Sequence, residues 1–279
     1  MLSLRKIFVS FLFAFLFFSV SASDPFSFKA GAAESGMNYS CVMKPDFWSS
    51  FHNQALLPVY SGTAFGINYL NSFGISELGT GSAGLILRNQ GATFGAFYSN
   101  FGYRDFRRHS AGLGCGLMLS EKISAGVQAD FLAEKTPGEY NERRSVTFEA
   151  GILIMPSDKI RIGLHVFNPL PGSLRKNFLP ASIRAGAGIY LGSSLFAGAE
   201  AEMSTGMPLS VKTGFEYEAG KGFRLRGGFG TQNCSFSFGA GYSVKDMQID
   251  FGFASHQNLG ISSSVSIIFN LKGKGRRGN

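Results

Sequence analysis

From Ser61 onward the sequence falls into segments of about ten residues in which apolar side chains alternate with polar or small ones, each closed by Gly, Pro, Asn, Asp or Ser. Successive side chains of a β-strand point to opposite faces, so a period of two predicts strands with one apolar and one polar face. Fourteen strands are predicted, at 61–70, 79–88, 91–102, 108–119, 123–134, 144–155, 160–167, 181–191, 195–204, 209–219, 223–231, 234–243, 246–255 and 261–271. In the thirteenth, Met247, Ile249, Phe251 and Phe253 alternate with Gln248, Asp250 and Gly252; in the fourteenth, Val265, Ile267, Phe269 and Leu271 alternate with Ser264, Ser266 and Asn270. Parity alone fits two architectures. A soluble sandwich buries its apolar face against a second sheet, whereas a membrane barrel turns that face to lipid.

Segment length, number and linkage select the barrel. About ten tilted residues cross a hydrocarbon core, and bacterial barrels close with even strand numbers, since lipid tolerates no unpaired sheet edge. Links after the even-numbered segments are tight, as at Asn89-Gln90, Gly192–Ser194, Gly220–Gly222 and Val244-Lys245. Those after the first, fifth and seventh are long, the longest running from Asn168 to Pro180. Short turns on one side and long loops on the other are the outer-membrane pattern, with the short side periplasmic. Residues 1–22 read as a secretory signal peptide: Arg5 and Lys6, an apolar stretch from Ile7 to Val20, then Ser21-Ala22. The chain is thus expected in the outer membrane of a Gram-negative bacterium.

Composition excludes other classes. The stretch Ile7 to Val20 is the nearest approach to the run of about 20 apolar residues that a membrane helix needs. Aromatics at 14% are too many for a disordered chain. The net charge of +8 is terminal: Arg5, Lys6, Lys272, Lys274, Arg276 and Arg277 account for six of the 26 basic residues, leaving 20 against 18 acids. That distribution argues against nucleic acid as a partner. Cys41, Cys115 and Cys234 are an odd set with no metal-ligand spacing, so neither a disulfide framework nor a metal site is expected.

With the apolar parity facing lipid, the lumen receives Asp130, Glu149, Arg161, His165, Arg184, Glu200, Glu202, Lys212, Glu216, Glu218, Arg224, Arg226 and Asp250. Folding the chain at Gly220–Gly222 sets Glu218 opposite Arg224 and Glu216 opposite Arg226; folding it at Gly192–Ser194 sets Arg184 opposite Glu202. Such cross-strand pairs attract by about 0.2–1 kcal/mol. This balance favours a structural network over a selectivity filter. Glu149 and His165 are positioned to meet across the sixth and seventh strands, but no nucleophile motif accompanies them, so a non-enzymatic protein without catalytic residues or cofactors is expected. Arg104, Arg107 and Arg108 admit two readings, contact with lipopolysaccharide phosphates or simple solvation, and the tail at 272–279 likewise either touches anionic partners or is solvated.

Residues 23–60 do not alternate. Gly31 to Val42, with Met37, reads as an extended piece, and Asp46 is placed to cap a helical turn that carries Trp48 and Asn53. This segment resembles the front of the PorV/PorQ family of Bacteroidota outer-membrane proteins, related in fold to FadL-type fatty-acid transporters. The family pattern G-A-R-x-A-x-M-G-N-A-x-V is matched by Gly31 to Val42, and D-x-W-S-x-F-x-N-x-A-G-L by Asp46 to Leu57. The likeness continues through His165–Pro169, Arg184–Gly186, Lys212–Tyr217, Arg226–Gly228 and His256–Gly260.

The resemblance implies an all-β, fourteen-stranded antiparallel transmembrane barrel at 61–271 whose N-terminal segment, 23–60, enters the lumen as a plug. It further implies a partner-binding or accessory component of an outer-membrane assembly, related to type IX secretion, with membrane lipid and other outer-membrane or secreted proteins as partners. A FadL-like transporter of small hydrophobic molecules is the alternative.

Overall fold

The computed structural model describes residues 29–136, 143–169 and 179–271. The expected signal peptide, the basic tail and most of the connection from Asn168 to Pro180 lie outside the described residues. Fourteen antiparallel strands form a closed barrel. They are β1 (Thr63–Asn71), β2 (Gly79–Arg88), β3 (Thr93–Gly102), β4 (Arg107–Ser120), β5 (Ile123–Lys135), β6 (Arg143–Ile154) and β7 (Ile160–Phe167). The second half comprises β8 (Ser182–Leu191), β9 (Leu195–Ser204), β10 (Ser210–Gly220), β11 (Phe223–Gly230), β12 (Ser235–Val244), β13 (Met247–His256) and β14 (Gly260–Leu271). Each strand pairs with its chain neighbours, and β1 closes on β14 from Thr63 against Leu271 to Asn71 against Ser263. Closure leaves no row of unpaired backbone groups, the condition for crossing a hydrocarbon layer in strands. Observed strand ends differ from the expected ones by at most two residues, the larger differences falling where turn residues such as Ser61-Gly62 and Gly91-Ala92 extend the alternation without pairing.

Parity separates the two architectures that the pattern allowed. Phe65, Leu113, Val127, Phe148, Phe238, Phe251 and Phe269 stand exposed on the outer surface, Leu113 to 72%. The opposite parity, including Asp130, Glu149, Glu200, Arg226 and Asp250, is buried inside. Among the described residues no second sheet covers the outer phenylalanines, because the fourteen strands form one ring. An outer belt of this kind is stable only against lipid.

Residues 30–60 run inside the ring and are almost entirely buried. Gly31, with φ at 98°, turns the chain into the short helix α1 (Ala32–Gly36), a conformation that glycine alone adopts without strain. Gly36 approaches β12 so closely that a β-carbon on it would stand 2.9 Å from the Gly239 Cα, so both positions must lack a side chain. Two 3-10 turns follow, Phe47–Phe51 and Gln54–Val59. Two apolar clusters join this segment to the wall. One gathers Phe47, Trp48, Phe51 and Leu57 with Ala64, Ile86, Phe97 and Ile268; the other gathers Met37, Val42, Met43, Ala55 and Leu56 with Leu153, Met155 and Phe196. Each large side chain so buried contributes about 1.5–3 kcal/mol. The three cysteines are unpaired.

Candidate functional site

The site is the seam between the inner segment and the lumenal face of the wall. Its local geometry begins with caps. Asp46 accepts the Phe47 N–H at 2.6 Å and exchanges bonds with Ser49 as a capping box, which sets the first 3-10 turn. Trp48, fully buried in that turn, stands edge-on to Phe47 at 4.9 Å and tilted against Phe51 at 5.6 Å. Asn53 caps the second turn by accepting the Ala55 N–H at 3.0 Å. Its amide also donates to the Val42 carbonyl at 2.7 Å and to the Leu164 carbonyl of β7 at 3.3 Å, tying the segment to the wall. Met37 packs beneath β10, where a β-carbon on Gly214 would lie 2.8 Å from the Met37 carbonyl oxygen. Of the five front-motif residues, Met37, Trp48 and Asn53 therefore reach the wall, while Gly31 and Asp46 shape the segment that carries them.

Charge pairs line the other side. Arg226 donates through Nε to Glu216 at 2.6 Å and through Nη1 to Asp250 at 2.7 Å. Lys44 of the inner segment joins them, 3.1 Å from Glu216 and 3.4 Å from Asp46. The Glu216–Arg226 pairing is thus as the cross-strand register sets it. Two other expected pairs are corrected. Arg184 and Glu202 are opposite in register, yet Arg184 bonds Glu200 at 2.7 Å while Glu202 pairs with Lys212 of β10. Glu218 and Arg224 are also opposite, yet Arg224 donates to the Ser243 hydroxyl at 2.7 Å. The physical reason is the same in both cases. Long side chains lean diagonally toward a better-buried or better-hydrated partner, and backbone register alone does not choose the contact.

The Arg184–Glu200 pair does more than fill space. Glu200 accepts the backbone N–H groups of Cys41 and Val42 at 3.0 and 2.9 Å, and Arg184 donates to the carbonyls of His52 at 3.2 Å and Tyr39 at 3.4 Å. The pair clasps the inner segment by its main chain. Glu149 adds a third hold, accepting from Gln54 at 2.5 Å and lying 3.0 Å from His165 Nε2. Lys44, His52 and Gln54 were not singled out from the sequence; the acid–base spacing of Lys44 and Asp46 was the available signal.

Inside the segment, burial governs ionisation. Burial first, then Asp46, holds the Glu34 carboxyl well above the usual range. His52, 2.9 Å from the Ala30 carbonyl, is pushed down to about 3 by burial and by Arg184. Burial also raises the Cys41 thiol, leaving it unreactive. Among the described residues no cluster of His, Cys, Asp or Glu is arranged to hold a metal ion.

On the outside, an apolar groove of about 720 Å³ crosses β9 to β13, lined by Phe215, Tyr217, Leu225, Phe238, Phe251 and Phe253 among others. Arg226 and Gly239 also border it, and α1 lies across the wall at Gly239.

No protein-family model and no curated protein matches the sequence. Solved structures match the fold. The chain is similar to the CymD monoaromatic hydrocarbon channel, with a TM-score of 0.69 and 12% identity over 90% of this chain and 100% of that one. A Pseudomonas aeruginosa FadL homologue gives 0.62 and 13% over 90% and 100%. The P. putida toluene transporter TodX gives 0.66 and 11% over 87% and 99%. At this identity the likeness shows the shared fold alone, a closed fourteen-strand barrel. None of these comparisons supports the PorV/PorQ resemblance.

Proposed function

We propose that this chain is an outer-membrane channel for small hydrophobic molecules, non-enzymatic, with residues 30–60 as its plug. The observation that carries the reading is the apolar groove over β9 to β13, which meets lipid on one side and is separated from the plug by a wall thinned at Gly239. A groove lined mainly by aromatic and aliphatic side chains suits a small apolar solute. The fold shared with proteins named as hydrocarbon channels and toluene transporters supports the same substrate class. The plug's main-chain clasp by Arg184 and Glu200 would hold the lumen shut until the segment shifts.

The test is uptake of labelled toluene or decanoate by Gram-negative cells lacking their own hydrocarbon channels, where the lipopolysaccharide leaflet slows apolar solutes. Cells carrying the barrel should take up label several-fold faster, and Ala240→Trp, which fills the groove, should abolish the gain. Equal uptake with and without folded barrel overturns the reading.

A second reading is an accessory barrel of the PorV/PorQ type that binds outer-membrane or secreted proteins, in a type IX secretion setting. The front-motif residues Met37, Trp48 and Asn53, set against the wall, favour it. Detergent extracts that yield no stoichiometric protein partner would count against it.

A further inference from the structure

The buried acids of the lumenal wall fall into two groups. Glu134, Glu200 and Asp250 each hold an arginine, at 2.6 Å from Arg108, 2.7 Å from Arg184 and 2.7 Å from Arg226. Asp130 of β5 and Glu149 of β6 are as deeply buried, 1% and 5% exposed, and among the described residues neither holds an arginine or a lysine. Glu149 meets only the His165 ring, and Arg184, opposite His165 on β8, is committed to Glu200. Register sets Gln128 directly opposite Glu149, with Asp130 two residues further along β5 and beside both side chains. Neighbouring carboxylates repel, and burial removes the water that would screen them.

Gln128 points to what relieves this. It is 3% exposed, and neither its amide oxygen nor its amide nitrogen has a hydrogen-bond partner; both oxygens of Asp130 are likewise unpartnered. Buried polar atoms are normally satisfied, so orphaned oxygens gathered in one place call for a ligand that they can coordinate. Room for it comes from β4, where Gly112 stands opposite Asp130 and Gly114 opposite Gln128. A β-carbon on Gly112 would collide with Asp130 Oδ1, and one on Gly114 would lie 2.8 Å from Gln128 Oε1 and 3.3 Å from the Gln54 Cγ of the plug. Gln54 in turn donates to Glu149 at 2.5 Å, so plug and wall meet over this cluster.

We propose that Asp130, Glu149 and the amide oxygen of Gln128 bind a calcium ion between β5, β6 and the plug. Two carboxylates fall short of three His, Cys, Asp or Glu ligands; joined by an amide oxygen they make the all-oxygen set that suits a hard cation. The double positive charge neutralises both acids. Calcium fits better than magnesium, because it accepts irregular sets of carboxylate and amide oxygens, whereas magnesium demands a near-ideal octahedron and keeps its waters. By fixing the carboxylate that Gln54 holds, the ion latches the second 3-10 turn to the wall.

The experiment strips the detergent-solubilised, folded full-length barrel of metal at neutral pH and titrates it with Ca²⁺, reading bound ion by equilibrium dialysis and plug order by protease cleavage within residues 30–60. Wild type should bind a single ion per barrel, and a calcium chelator should speed cleavage several-fold. Asp130→Asn, which keeps the shape and removes the charge, should bind at least about tenfold more weakly and ignore the chelator. Gln128→Leu should also weaken binding, and it decides the matter if Asp130→Asn does not fold. Glu218→Gln, which removes an exposed lumenal acid away from the cluster, should match wild type. Absence of Ca²⁺ binding by wild type overturns the proposal, the two acids then sharing a proton instead. Binding left unchanged by Asp130→Asn and Gln128→Leu, or lost in Glu218→Gln, overturns it as well.

Discussion

Glu200 shows how one buried side chain serves wall and plug at once. It is 1% exposed, neutralised by Arg184, and accepts two plug N–H groups. Replacing it by Gln leaves Arg184 buried without its counter-charge, a change that costs about 3–5 kcal/mol when a buried pair is broken. Glu200→Gln should therefore lower the urea midpoint of the detergent-solubilised barrel and open residues 30–60 to protease. His52 supplies a pH test. Its folded pKa of about 3 lies below the usual 6.5, so the stability it contributes is complete above pH 6.5 and lost as pH falls toward 3. Glu34, held high by burial, acts in the opposite sense: its contribution is present in acid and lost as pH rises. In a Glu34→Gln background, His52's share of the fall in stability below pH 6.5 should have a slope of at most about 1.4 kcal/mol per unit. Adding His52→Asn should flatten that fall, as read by denaturation at a series of pH values.

Among the elements, α1 and β12 come into contact only because Gly36 and Gly239 carry no side chains. A β-carbon on Gly239 would stand 3.1 Å from the Gly36 Cα and 2.9 Å from the Phe251 carbonyl oxygen. Gly239→Ala should cost about 1–3 kcal/mol by overpacking. Because the strain falls on the contact between plug and wall, protease cleavage within residues 30–60 should rise more than the unfolding midpoint of the barrel falls. The opposite result would place α1 among elements that stand or fall with the strands.

For the molecule as a whole, the apolar belt is the property that separates a membrane barrel from a soluble one. Leu113 is 72% exposed and sits mid-strand on the outer face. In a bilayer, Leu113→Arg should destabilise the barrel by about 2–4 kcal/mol, whereas the same change on a water-facing surface would be nearly neutral. Unfolding in lipid vesicles measures the difference directly. The closed ring also explains how many of the lumenal charges are tolerated: Glu200, Glu202, Glu216 and Asp250 each have a base within reach.

Strand number, strand parity and the lumenal position of Glu216, Arg226 and Asp250 were legible in the sequence, because a period of two is a local property that each ten-residue segment carries by itself. The hairpin register that faces Glu216 with Arg226 was legible for the same reason, since a tight turn fixes it. What the chain did not disclose was which long side chain reaches which partner. Arg184 takes Glu200 and not Glu202 because the plug's Cys41 and Val42 N–H groups already converge on Glu200, and that convergence joins residues some 158 positions apart. Only the closed tertiary structure, by bringing the plug against the wall, made that choice.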